Sequence, residues 1–159
     1  FPAKDPFVEL CKGSLNTFLN AMTFPDKTIY PVASTNEKDF YNLVNVYMDA
    51  VLYPNIYKNK NIFYQEGGHK TPDGFSGVVF NEMSGVYSDP QEHIFEGLMK
   101  QLFPGSCYSY SSGGAPEVIK QLTYEEYLAQ HNSNYCLKNA YIIVYGKLDI
   151  KKMFIFAKS

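Results

Sequence analysis

Glu82 lies in the run Gly77-Val-Val-Phe-Asn-Glu-Met-Ser-Gly-Val-Tyr-Ser88, a carboxylate following an apolar stretch, and its type suits metal ligation. One carboxylate is not a site, because a catalytic zinc centre takes three protein donors and leaves its fourth position for water. The three histidines, His69, His93 and His131, have no partner at ligand spacing and read as surface or packed side chains. His93-Ile-Phe-Glu96-Gly97 imitates an inverted zinc motif, but Gly97 has no side chain to coordinate where a second histidine is required. Cys11, Cys107 and Cys136 are odd in number and far apart, so they indicate neither a complete disulfide framework nor a thiolate zinc site. Gly113-Gly114 reads as a tight loop, since no Lys-Ser/Thr pair follows to complete a phosphate cradle.

These residues must be positioned by local structure that the sequence signals clearly in places. Asp5-Pro6 suits the start of a short helix over 5 to 13, ended by Gly13. Asn16 to Thr23 and Thr28 to Ser34 read as a hairpin around the turn Phe24-Pro-Asp-Lys27. Ser34-Thr-Asn-Glu37 has the form of a capping box, and Phe40, Leu43, Val44, Tyr47, Ala50 and Val51 follow at helical spacing up to Pro54. Residues 65 to 77 are rich in Gly, Pro and polar side chains, which predicts a loop and the best place for an insertion. Val78 to Tyr87 fits a helix or a buried strand on periodicity alone. After Asp89-Pro90 a helix should carry Ile94, Phe95, Leu98, Met99, Leu102 and Phe103 on one core-facing stripe, stopped by Pro104-Gly105. Thr123-Tyr-Glu-Glu126 is a second capping box opening a helix to about Tyr135, and Ala140 to Tyr145 is a β-rich run closed by Gly146.

Composition sets the broad class. In 159 residues, 45% hydrophobic and 19% charged side chains describe one globular unit and exclude intrinsic disorder. A formal charge of -2, with every basic residue a lysine, leaves no electrostatic footprint for nucleic acid or an anionic membrane. No apolar run reaches membrane-spanning length. The start, Phe-Pro-Ala-Lys-Asp-Pro-Phe7, is neither a signal nor a transit peptide and lacks an initiator Met, which predicts a chain that begins inside a longer protein. No repeat or linker divides the chain, so the expected fold is a single α+β unit with helices packed on one face of a mixed or antiparallel sheet.

Several separated blocks occur in the order of one known family. Asp5 to Thr23, Tyr30 to Leu43, Gln65-Glu-Gly67, the Glu82 segment, Ser112-Gly-Gly114 and Leu122-Thr-Tyr-Glu-Glu126 resemble the insulinase/pitrilysin zinc metallopeptidases, in the branch of the presequence proteases and falcilysin. The resemblance covers nearly the whole length. It implies a LuxS/MPP-like fold, a helix for 78 to 87, and residues 1 to 159 as part of the N-terminal catalytic domain after its H-x-x-E-H helix. That motif would supply two histidine ligands and the glutamate base upstream of these residues, with Glu82 as the distal metal ligand on a second helix. Leu19-Asn20-Ala21 matches the family's substrate-binding edge strand, where Asn20 can both donate and accept and Ala21 leaves room for a passing backbone. Three positions depart from the family pattern: Ser84 stands in place of Lys, Gly68 of an aromatic residue, and Ala115 of an acidic one.

The function so implied is that of a fragment of a zinc metalloendopeptidase acting on short unfolded peptides. Zn2+ belongs to the full-length parent, and these residues alone are expected to be inactive and to lack tight zinc. Expected partners are unfolded peptides and the remaining domains of the same polypeptide, in an organellar setting: mitochondrial, plastid or vacuolar. The alternative is a non-catalytic scaffold or interaction domain of the same superfamily, distinguished by whether H-x-x-E-H precedes Phe1.

Overall fold

The computed structural model describes residue 13, residues 15–149 and residues 151–153. The helix expected over 5 to 13 lies, apart from Gly13, outside the described residues. The predicted hairpin is present in four short strands, β1 (Asn16–Leu19), β2 (Met22–Thr23), β3 (Thr28–Ile29) and β4 (Val32–Ser34). Leu19 faces Val32 and Met22 faces Ile29, so one antiparallel register runs through both ladders. Between them Asn20 N–H donates to the Pro31 carbonyl at 3.1 Å. Pro31 has no N–H to return, and the ladder breaks there. Phe24 N–H closes the turn on the Lys27 carbonyl at 2.7 Å.

Helix α1 (Glu37–Leu52) starts two residues later than the expected capping box would place it. The cap is Asn36, whose Oδ1 accepts from the Asp39 N–H at 3.0 Å, and Ser34 Oγ accepts from Asn36 N–H at 3.2 Å. Ser34 Oγ donates to the Leu15 carbonyl at 3.2 Å across the hairpin, so its hydroxyl serves the strand pair and the cap passes to Asn36. The apolar stripe then lies against the β1/β4 ladder: Tyr41, Leu43 and Tyr47 are buried, and Leu43 has no exposure. Tyr53 N–H returns to Asp49 O at 2.8 Å and Pro54 leads the chain away.

The segment expected as a loop over 65 to 77 is structured. A 3-10 turn at Asn55–Tyr57 precedes helix α2 (Asn61–Glu66), and β5 (His69–Thr71) pairs antiparallel with β6 (Gly74–Ser76) across the Pro72-Asp73 tip. Elements of six and three residues are too short to show a period, so their Gly and Pro punctuation dominates the sequence pattern. Helix α3 (Val78–Val86) follows, as expected. Helix α4 (Pro90–Leu102) opens on Asp89, whose Oδ1 accepts from Gln91 N–H at 2.9 Å. Helix α5 (Pro116–Ile119) and helix α6 (Tyr124–Asn134) follow, residues 151–153 are again helical, and the Thr123–Glu126 capping box forms in both directions.

The class is α+β, with three two-stranded antiparallel ladders among the described residues. Two expected elements differ in environment. The α4 stripe is uncovered, with Ile94 at 72% exposure, and α4 buries no residue. Ala140 to Tyr145 joins no strand, and Tyr141, Ile143 and Tyr145 are 97%, 90% and 99% exposed. Both segments have the right pattern, yet the 3-10 turn Cys107–Ser109 that touches α4 leaves its stripe open, and no described strand pairs with Ala140 to Tyr145. The chain exposes 11778 Å², whereas a compact monomer of its mass exposes roughly 8000 Å². No helix among the described residues is long and apolar enough to cross a membrane.

Candidate functional site

Helix α3 carries Glu82 outward because its opposite face is held at two close contacts. At its start Gly77 is pressed on Gly68, so closely that a Cβ on Gly77 would collide with the Gly68 backbone. Six residues on, buried Met83 sets its sulfur against Gly113, where a Cβ would also collide. The Gly113-Gly114 pair is thus a tight loop seated on α3, as its sequence suggested. Glu82, next to Met83, is exposed, and among the described residues no hydrogen bond or ion pair engages its carboxylate.

The three departures from the family pattern have physical accounts. Ser84 Oγ donates to the Phe80 carbonyl at 2.7 Å, so the hydroxyl is spent within its own helix. The Phe75 ring occupies the space that a side chain on Gly68 would take, and it packs edge-on against Phe80 at 4.8 Å. Ala115 is the N-cap of α5 and makes no side-chain cap, a role an acidic residue there would fill.

The histidines are committed to backbone carbonyls. His93 Nε2 contacts Tyr87 O at 2.9 Å and His69 Nδ1 contacts Tyr64 O at 3.0 Å. A carbonyl only accepts, so each of these nitrogens carries the proton and is no ligand. Among the described residues no group of three or more His, Cys, Asp or Glu converges on a point. By themselves these residues do not fit zinc, since Glu82 offers one donor of the three required.

The Leu19-Asn20-Ala21 segment lies on the hairpin. Asn20 N–H points to Pro31, so by strand alternation the polar backbone groups of Leu19 and Ala21 point to the opposite, outer edge. No strand pairs with that edge among the described residues. Asn20 Oδ1 accepts from the Ala21 N–H at 2.9 Å and covers this one outward donor. The hairpin packs on α1, whereas α3 packs on α2 and α5. No hydrogen bond or ion pair joins residues 19 to 21 to Glu82 among the described residues.

Sequence reasoning missed an aromatic cluster that ties the hairpin to α6. Tyr30 and Tyr135 share a hydrogen bond of 3.1 Å between their hydroxyls. Tyr135 stacks on His131 at 4.5 Å with 14° between the planes. His131 Nε2 donates to the Val51 carbonyl at 2.9 Å, and its Nδ1 meets the Tyr57 hydroxyl at 2.8 Å. Burial pushes the Tyr30 hydroxyl well above the ordinary tyrosine pKa, so it stays protonated. The available signal was the spacing of Tyr124, Tyr127, His131 and Tyr135, one stripe on the helix that the capping box announces.

No protein-family model matches the chain. It is 50% identical over 155 residues to presequence protease 1, chloroplastic/mitochondrial, of Arabidopsis thaliana, covering 94% of this chain and 14% of that protein. Over these residues the chain is similar to presequence proteases. The mitochondrial presequence protease of Schizosaccharomyces pombe is 42% identical over 161 residues, 95% of this chain and 16% of its own length. Protein HypA of Clostridium perfringens is 56% identical over 158 residues, 96% of this chain and 16% of its own. The chain thus spans only 14 to 16% of these curated relatives. The α+β class agrees with this similarity.

Proposed function

We propose that these residues are part of the catalytic domain of a zinc metalloendopeptidase that hydrolyses short unfolded peptides. Glu82 serves as the distal metal ligand, and Leu19-Asn20-Ala21 as the strand that receives substrate. The observation that carries this reading is the exposed Glu82 carboxylate, unengaged among the described residues, on a helix fixed at Gly77 and Met83. In the full protein an H-x-x-E-H segment preceding these residues would complete the donor set. Zinc held there supplies a Lewis acid that lowers the pKa of water and polarises a peptide carbonyl.

The outer hairpin edge suits an extended peptide of any sequence, since backbone groups of Leu19 and Ala21 would make the bonds. Asn20 releases the Ala21 N–H when the peptide carbonyl takes its place, and the Ala21 methyl leaves room. Relatives named for mitochondria or chloroplasts share these blocks with a bacterial one, so the blocks support the peptidase reading and not a compartment.

Replacing Glu82→Gln in the full-length protein should reduce bound zinc from stoichiometric to about a tenth or less and remove peptidase activity, because second-sphere changes alone already cost 10–100-fold in affinity. Zinc content by elemental analysis checks this, and retention of full zinc by the variant would discard Glu82 as a ligand. The purified 159-residue chain should cleave no unstructured peptide. Cleavage by it would overturn the assignment of the base and two ligands to preceding residues.

A further inference from the structure

The hairpin is weakest opposite the edge just described. Pro31 returns no hydrogen bond to Asn20, and neither Asn20-Ala21 nor Tyr30-Pro31 is held in a ladder. In the register shared by both ladders, Tyr30 stands directly across from Ala21. The backbone that would meet substrate therefore has a gap in its ordinary support. The Tyr30 hydroxyl reaches away from that gap to Tyr135, 105 residues later in the chain.

Tyr135 is itself immobilised. Its ring lies flat on His131, whose two nitrogens are both occupied, one by the Val51 carbonyl near the end of α1 and the other by Tyr57. With Nε2 donating to a carbonyl, a neutral His131 accepts the Tyr57 proton at Nδ1. Phe63 is buried against Tyr127, and Tyr124 donates to Ile56 O at 2.5 Å, which fixes the rest of α6 on the same support.

We propose that the Tyr30–Tyr135 hydroxyl pair, backed by the stacked His131, is a positioning device that replaces the missing ladder support and sets the Ala21 backbone for substrate. It rests on the reading of Leu19-Asn20-Ala21 as the substrate strand. These tyrosines touch no substrate; they act through the strand.

The test is steady-state kinetics of the full-length protein on an unstructured peptide. Tyr135→Phe keeps the ring and removes the hydroxyl, and it should raise KM about three- to tenfold, the worth of one hydrogen bond, with kcat within about twofold. Tyr30→Phe should give the same change, and the double variant no more than either single one, because both remove one bond. Ala21→Pro removes the outward N–H without touching a ladder bond and should raise KM on its own. Raised KM from Ala21→Pro with unchanged KM from both tyrosine variants would overturn the positioning role while leaving the substrate strand standing. Unchanged KM in all of them would remove the substrate-strand reading, and the tyrosine pair's role with it. Additive effects in the double variant would also overturn the proposal, since the hydroxyls would then act separately.

Discussion

Helix α1 opens on the Asn36 side chain and lays Leu43 against the hairpin with 0% exposure. Helix α4 opens on Asp89 in the same manner and leaves Ile94 72% exposed, with Phe95, Leu98 and Leu102 open beside it. Their sequence patterns are equivalent: a polar N-cap, an apolar stripe at helical spacing and a proline beyond the end. The difference shows that an amphipathic stripe encodes a need for a partner surface, not the presence of one. For α1 the β1/β4 ladder meets that need. For α4 the 3-10 turn Cys107–Ser109 is in contact but leaves the stripe open, and the extended run Ala140 to Tyr145 pairs with no described strand.

The comparison can be tested by mutation in the 159-residue chain. The largest effect should come from Leu43→Ala, which leaves a cavity in the α1 contact and should cost about 2–5 kcal/mol in urea unfolding. A loss below 1 kcal/mol, on the order of a surface change, would mean that α1 is not anchored there. Removing the caps should have a smaller and unequal effect. Asn36→Ala should cost about 1 kcal/mol in the same transition. Asp89→Ala should instead appear as faster amide exchange in the first turn of α4, because little tertiary packing couples that helix to the whole. Equal shifts of the global transition would show α4 to be as integral as α1. The smallest effect belongs to Leu98→Ser, within about 0.5 kcal/mol of the parent chain. A larger, concentration-dependent loss would reveal that a second copy covers the face in solution.

Much of the local structure was legible from residues within a few positions of one another. The Thr123–Glu126 capping box forms in full, Asp89-Pro90 starts α4, and Phe24 to Lys27 makes the hairpin turn. The cap falls on Asn36 instead of Ser34 because the Ser34 hydroxyl donates to the Leu15 carbonyl across the hairpin, a contact the local pattern does not contain. Residues 65 to 77 were read as loop because a six-residue helix and three-residue strands are too short for periodicity to outweigh their glycines and prolines. The Ala140 to Tyr145 run has strand composition, yet a strand exists only where another supplies its hydrogen bonds.

The candidate site divides in the same way. Glu82 was legible through its block and its helix, and the outer hairpin edge follows from the register once the turn is known. The Tyr30, Tyr57, His131 and Tyr135 cluster was not, because its hydrogen bonds span 74 to 105 residues.

By itself, the sequence determined most of the caps, turns and stripes, together with the similarity to presequence proteases, because those depend on residue types at short spacing or in a fixed order. Only the tertiary structure decided that Leu43 is sealed while Ile94 is open, and that Tyr135 reaches Tyr30. Burial and long-range hydrogen bonds are properties of surfaces brought together, and a residue's own neighbours in the chain do not say which surface will arrive.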